Sequence, residues 1–383
     1  MTKGQVPVRY PLVSIAVVAT ASVLLASCTS KSDSNAGDIE VTADDSTCAL
    51  SRDSTETGTV TFQVTNNGTK VTEFYVYGVG ERVIGEVENI GPGLTRKLIV
   101  PVSDPGTYQA ACKPGMIGDG IRQNFTVTGA AQTRDQTGKL ADAAAGYKRY
   151  LTSQAAALQD TAKGFVASIK AGKIDEAKAQ YPRTRTYYER IEPVAESFPN
   201  DLDPRLDLRE ADLAGGDKWT GFHRLEKDLW AQGLQPDTNQ IADQLLADLD
   251  ELVAGINAAD FTVDPLQVAG GAQTLLDEIA RTKITGEEDL FSHTDLWDFQ
   301  ANVDGSQAAL ASLRPILDER NAELGKQIDR RFTELDAELA KYRRGDGQVS
   351  YDTVTEEQRV ELARRIDALS AVVSQVQGVV AGS

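Results

Sequence analysis

The sequence predicts a multidomain β plus all-α chain: an N-terminal antiparallel β-sandwich over residues 38–128, then an all-helical bundle over residues 139–383. Three observations predict it. Short stretches in which apolar and polar residues alternate, separated by turn residues, fill the first segment. The second is rich in Ala, Leu and charged residues, with apolar positions at helical spacing. Residues 129–138 between them are small and polar, as a linker is.

The chain opens with the parts of an export signal over residues 1–27. Lys3 and Arg9 supply its positive start, and Leu12 to Leu25 is mostly apolar and small. Leu25-Ala26-Ser27-Cys28 closes it as a lipobox, cut before a cysteine whose sulfur then carries a diacylglycerol. The apolar run is too short and interrupted for a permanent transmembrane helix, and two or three acyl chains anchor a protein stably without one. Residues 28–37 follow as a Ser-, Asn- and Gly-containing tether. The expected location is extracytoplasmic, on the periplasmic or cell-surface face of a bacterial membrane, held there by lipid.

A formal net charge of −18, with no dense run of Lys or Arg, argues against a nucleic-acid partner and suits attraction of cations. Besides Cys28 the chain has only Cys48 and Cys112. In an exported protein such a pair reads as one disulfide or as two thiolate ligands.

In the sandwich, Val60–Val64, Glu73–Tyr77, Lys97–Val100 and Asn124–Val127 read as strands, and Asn66-Asn67-Gly68, Gly91-Pro92-Gly93 and Asp104-Pro105-Gly106 as turns. In the second part, amphipathic runs cover Ala155–Ile169, Ile174–Phe198, Ile241–Ile256, Pro265–Thr282, Gln300–Tyr342 and Thr355–Val380. Pro193 and Pro315 predict kinks or breaks in two of them. The runs build one large bundle or two fused smaller ones.

The candidate chemistry sits in Gly221-Phe222-His223-Arg224-Leu225-Glu226. His223 and Glu226 are three apart, so on a helix they share a face and can point at one ion. The sequence contains one other histidine, His293, in the acidic and aromatic stretch Ser292–Phe299. Other helices must complete the site: Glu192 and Asp207 are the leading further ligands, with Glu189 paired to Glu192 at the same spacing. Asp203, His293, Asp295 and Asp298 are second choices, while Arg190 and Arg224 are expected to pair with carboxylates. Imidazole plus several carboxylates suits iron(II), iron(III), manganese or zinc.

The stretch Tyr188–Phe198, the Gly221–Glu226 motif and Ser292–Gly305 together resemble the EfeO/EfeM iron-uptake family. The resemblance covers the chain after the signal and implies a cupredoxin-like domain joined to an imelysin-like helical domain. It also implies a component of a ferrous or ferric iron importer, working beside a membrane permease and a haem peroxidase. Imelysin-like proteins are filed with metallopeptidases on their H-x-x-E motif, which makes peptide hydrolysis the alternative function.

Cys112-Lys113-Pro114-Gly115-Met116 is similar to the Cys-to-Met ligand loop of cupredoxins, but residues 38–128 contain no histidine. A blue-copper centre is therefore excluded there. What remains open is a soft copper(I) site from Cys48, Cys112 and Met116 with Glu73 nearby, or a Cys48–Cys112 disulfide. The zincin signature H-E-x-x-H, a G-x-S-x-G elbow and nucleotide-binding loops are all missing. These features make a metal-binding protein the leading reading, ahead of a peptidase or a scaffold.

Cys28→Ala is expected to move the protein from the membrane fraction into the soluble extracytoplasmic fraction. Undiminished membrane association of that variant would mean another anchor.

Overall fold

A computed structural model describes residues 1, 35–78, 82–131, 138–213, 216 and 218–382. The export signal and Cys28 lie outside the described residues. The first part consists of β1 (Asn35–Ala43), β2 (Cys48–Leu50), β3 (Ser54–Glu56), β4 (Gly58–Asn66), β5 (Thr72–Tyr77), β6 (Val83–Ile90), β7 (Thr95–Val102), β8 (Gly106–Pro114) and β9 (Ile121–Thr128). They form two facing sheets, in the orders β2-β1-β4-β7 and β3-β9-β8-β5-β6. Phe62, Phe74, Phe125 and the Val and Ile residues alternating with polar ones fill the space between. Most pairs are antiparallel, but β1–β4 and β3–β9 are parallel. Between β1 and β4 the chain crosses to the other sheet as β3, and so re-enters the first sheet in β1's direction.

Cys48 and Cys112 are joined in a disulfide that ties one sheet to the other. The soft copper site therefore does not form: its two sulfurs are bonded to each other and offer no thiolate. The register explains the rest. Phe74 faces Cys112 across β5 and β8, so Glu73, one residue earlier, points to the opposite face with Lys113. Glu73 pairs there with Arg281 at 3.2 Å, and Met116 lies half-buried in the turn after β8.

The helices are α1 (Lys139–Lys170), α2 (Ile174–Glu189), α3 (Glu192–Glu196), α4 (Leu202–Asp207), α5 (Gly221–Lys227), α6 (Thr238–Asn257), α7 (Pro265–Glu278), α8 (Asp295–Arg320), α9 (Ala322–Leu339), α10 (Glu356–Val373) and α11 (Val376–Ala381). One continuous apolar core joins them. In α1, Tyr147, Leu151, Ala155, Leu158, Ala162, Phe165 and Ile169 recur every three to four residues along the buried face. One expectation needs correction. The run Gln300–Tyr342 breaks at Asn321, whose side chain caps α9 through the Leu324 N–H at 3.1 Å, and Pro315 lies within α8. Near Pro193 the helix does stop, at Arg190, and Pro193 opens the short α3.

From Asn35 onward the chain is one compact unit. Arg96 on β7 pairs with Asp277 on α7 at 2.7 Å, Asn89 donates to the Asp277 carbonyl at 3.0 Å, and Ile99 packs into the helical core. On the outer face of β5, Glu73 meets Arg281 of the helical domain, and all six residues of the strand are buried. Among the described residues no helix is long and apolar enough to cross a membrane.

Removing the cross-link with Cys48→Ala/Cys112→Ala is expected to lower unfolding stability by about 2–4 kcal/mol. An unchanged denaturant midpoint would show that the bridge constrains nothing.

Candidate metal centre

Gly221 brings the motif into place. Its φ of 84° is left-handed, and a Cβ there would lie 2.1 Å from the Leu206 carbonyl oxygen. Only glycine lets the start of α5 press against the end of α4, which sets His223 beside Asp207. Downstream, α5 runs into a π-helical turn at Asp228–Gln232, and α7 into another at Ile279–Lys283. Such turns are frequent at functional sites, and the second one delivers Lys283.

His223 is 2% exposed. Its Nε2 lies 3.4 Å from Asp207 and 3.6 Å from Glu288, and has no hydrogen-bond partner. Its Nδ1 lies 3.4 Å from Glu226 and 4.0 Å from Asp289. The other oxygen of Glu226 accepts from the Phe291 and Ser292 N–H groups at 2.9 and 2.7 Å. Among the described residues, three groups of donors lie close enough to hold one ion: Asp207, His223 and Glu288; His223, Glu226 and Asp289; Glu189, Glu288 and Asp298.

A fully buried guanidinium occupies the middle. Arg185, one turn before Glu189 on α2, bonds to Glu189, Asp207, Glu288 at 3.0 Å and Asp298 at 2.9 Å. Lys283, also fully buried, has Glu189 at 3.2 Å and Glu288 at 3.4 Å, yet makes no hydrogen bond. Six carboxylates thus gather around two fully buried permanent cations, with Arg209 a third, 3.8 Å from Glu288. Buried charge of one sign is costly unless balanced, so the set has room for a metal cation.

Burial would raise the Glu288 carboxyl, but Lys283, His223 and Arg209 hold it well below the usual range. Burial pushes Glu189 up to about 7 despite Lys283 and Arg185, and pushes Asp298 up as well. For His223, burial and Arg185 press downward, but Asp207, Glu226 and Glu288 outweigh them and hold the imidazole at about 10.

The structure thus brings together His223, Glu226, Asp207 and Glu189 of the expected ligands, along with Asp298. Glu192 and Asp203 face an adjoining cavity instead. Asp295 is buried, with one oxygen 3.2 Å from the Asp289 N–H. His293 takes a left-handed φ of 57° in the turn before α8 and belongs to none of the three groups. Arg224 pairs with Asp228 and Arg190 with Asp304, as expected. Sequence reading missed Glu288, Asp289, Arg185 and Lys283. The one local signal for the first two was Gly286-Glu287-Glu288-Asp289, just ahead of the His293 stretch. A cavity of about 480 Å³ reaches Asp207 and Glu288 from between the domains, lined also by Glu73, Glu88 and Met116 of the sandwich.

Fold and site together define a class: a cupredoxin-like sandwich coupled to a helical domain with a buried His–carboxylate centre. Residues 143–376 match the imelysin family model and residues 16–127 that of the cupredoxin-like domain. The "Iron uptake system component EfeO" of Escherichia coli O157:H7 is 41% identical over 90% of this chain and 92% of its own. That of strain K12 is 40% identical over the same shares. Reduced auracyanin from Roseiflexus castenholzii is 16% identical, covering 25% of this chain and 99% of its own at a TM-score of 0.21. The chain belongs to the EfeO family of iron-uptake system components.

The raised groups set a pH dependence. Glu189 and Asp203 are pushed up to about 7 and Asp295 to about 8, burial being the largest cause in each. A carboxyl that holds its proton more tightly when folded stabilises the fold at low pH, and loses that contribution as pH rises through its folded value. His223, raised above its ordinary value of 6.5, acts in the same direction from there upward. Glu288 is ionised in both states above about pH 5 and adds no slope there. The melting temperature of the metal-free protein is therefore expected to fall from pH 5 to pH 8. A flat or rising profile would contradict these assignments.

Proposed function

We propose that this protein captures iron outside the cytoplasm and hands it to a membrane permease, tethered to the membrane by the lipid on Cys28. The observation that carries the reading is the unpartnered Nε2 of buried His223 between Asp207 and Glu288, inside a surplus of carboxylate charge. The E. coli relatives named as iron uptake system components support it, and a haem peroxidase is the further partner that family membership suggests.

Iron enters as substrate through the cavity between the domains. Asp207 and Glu288 line that cavity and, with the His223 Nε2 that lies 3.4 and 3.6 Å from them, supply one nitrogen and two carboxylate donors. This set suits ferrous or ferric iron, and zinc as a competitor, better than copper(I). Glu226, pinned by two backbone N–H groups, takes the opposite ring nitrogen and fixes the orientation of the imidazole. Arg185 and Lys283 keep the carboxylates gathered when no ion is bound. They also repel a bound cation, which favours release to a partner over permanent storage.

Peptide hydrolysis asks for a carboxylate free to take a proton from metal-bound water. Glu226 has one oxygen occupied by Phe291 and Ser292 and the other facing His223, so its contacts favour capture over hydrolysis.

His223→Ala is expected to abolish tight iron binding, and Glu226→Ala to weaken it about 10–100-fold, with the helices still folded. Cellular iron uptake should fall with both. Normal iron uptake in the His223→Ala strain, with loss of a metal-dependent peptidase activity, would overturn the reading in favour of the enzyme.

A further inference from the structure

Lys283 and Glu192 leave a contact unmade beside the His223 centre. Lys283 is fully buried, yet its Nζ makes no hydrogen bond. Glu192 is 7% exposed, and its Oε2 has no hydrogen-bond partner either. The two atoms lie 3.9 Å apart. Buried opposite charges are costly unless they meet, so their stopping short calls for a cause. Three further carboxylates share the ammonium: Glu189 at 3.2 Å, Glu288 at 3.4 Å and Glu278 at 3.7 Å.

One oxygen is contested. Glu288 Oε1 lies 3.4 Å from Lys283 Nζ and 3.6 Å from His223 Nε2, and it accepts from Arg185 at 3.0 Å. A metal ion held between His223 and Glu288 therefore meets Lys283 as a like charge competing for that oxygen. Arg185 cannot yield, because its fork is bonded to Glu189, Asp207, Glu288 and Asp298 at once. Lys283 can. Its ammonium sits on a flexible four-carbon stem with donors that turn freely. A shift of about 1 Å would bring it to hydrogen-bond distance of Glu192 Oε2. Glu278 Oε2 is a second acceptor nearby, since Arg281 bonds to the other oxygen of that carboxylate.

We propose that Lys283 is a movable counter-ion of the His223 centre, a positioning residue that holds Glu288 while the site is empty and passes to Glu192 when iron binds. The proposal rests on the reading that iron is held at His223. Iron and Lys283 compete for one carboxylate, so the ion is held less tightly than its donors alone would hold it. The returning ammonium then helps it leave. Glu192 is not a ligand in this scheme. It acts on iron through Lys283, by giving the displaced charge a partner.

Anaerobic titration of the full mature protein with iron(II) tests this, with cobalt(II) as a second probe whose visible absorption reports its ligands. Lys283→Met should bind iron(II) about tenfold more tightly and release it more slowly. A merely structural lysine would give weaker binding or no change, and either result in a folded variant would overturn the proposal. Glu192→Gln should weaken iron(II) binding about tenfold while leaving the cobalt(II) spectrum unchanged. In the Lys283→Met background the same substitution should have no further effect. An equal loss in that background, or an altered spectrum, would make Glu192 a ligand and sink the idea. If Lys283→Met does not fold, Glu192→Gln carries the test, and unchanged affinity there decides against the proposal. His223→Ala separates the two readings. Tight iron(II) binding kept in His223→Ala removes the iron reading of the centre, and the proposal with it. Iron(II) lost in His223→Ala, with affinity unmoved in Lys283→Met, removes the proposal alone.

Discussion

The structure of the helical domain depends on one buried guanidinium. Arg185 reaches carboxylates from its own helix, from α4, from the Gly286–Thr294 segment and from α8. It therefore crosslinks four parts of the fold at one point. Burying so many acids is tolerable only because the planar fork satisfies several of them at once, which an ammonium cannot do. Losing one partner of such a buried pair would leave an uncompensated charge, a cost of about 3–5 kcal/mol. The same arrangement leaves the Nε2 of His223 without a hydrogen-bond partner between Asp207 and Glu288.

The sandwich contributes in a way its family label does not suggest. Its two cysteines are consumed as a cross-link between sheets, and it has no histidine with which to build a blue-copper centre. It presents to the helices the outer face of β5 and β6, with Glu73, Tyr75, Glu86 and Glu88. Tyr75 and Tyr77 stack 5.7 Å apart there, with Lys113 4.0 Å above the Tyr75 ring. This face walls the cavity that leads to Asp207 and Glu288 and carries acid into it. The sandwich thus shapes one wall of that cavity, sterically and electrostatically.

Chemical type was easier to read from the chain than partnership. The H-x-x-E spacing places His223 and Glu226 on one face because helical geometry is local, and the glycine ahead of the motif permits the tight approach to α4. Glu288 and Asp289 were not legible as ligands. They follow Gly286 in a segment without periodicity, and an acidic loop residue is ordinarily solvated. Arg185 and Lys283 were missed because cations inside a metal centre run against the sequence logic of ligand search. Only the structure shows that they offset buried carboxylates. Asn321, and not Pro315, breaks the longest helical run, because a proline is tolerated where its helix stays packed while an asparagine can cap the next helix.

By itself the sequence determined the division into strands and helices and the placing of His223 and Glu226 on one helix face. Each follows from periods of two or 3.6 residues, which are properties of neighbours along the chain. Tertiary structure alone decided that Cys48 meets Cys112, that Glu189, Asp207, Glu288, Asp289 and Asp298 converge on Arg185 and His223, and that Glu192 approaches Lys283 while Asp203 takes the Tyr188 hydroxyl. Those choices depend on which buried charges come within a few ångströms of each other. Coulomb energy and desolvation act on distance in space, to which separation along the chain is no guide.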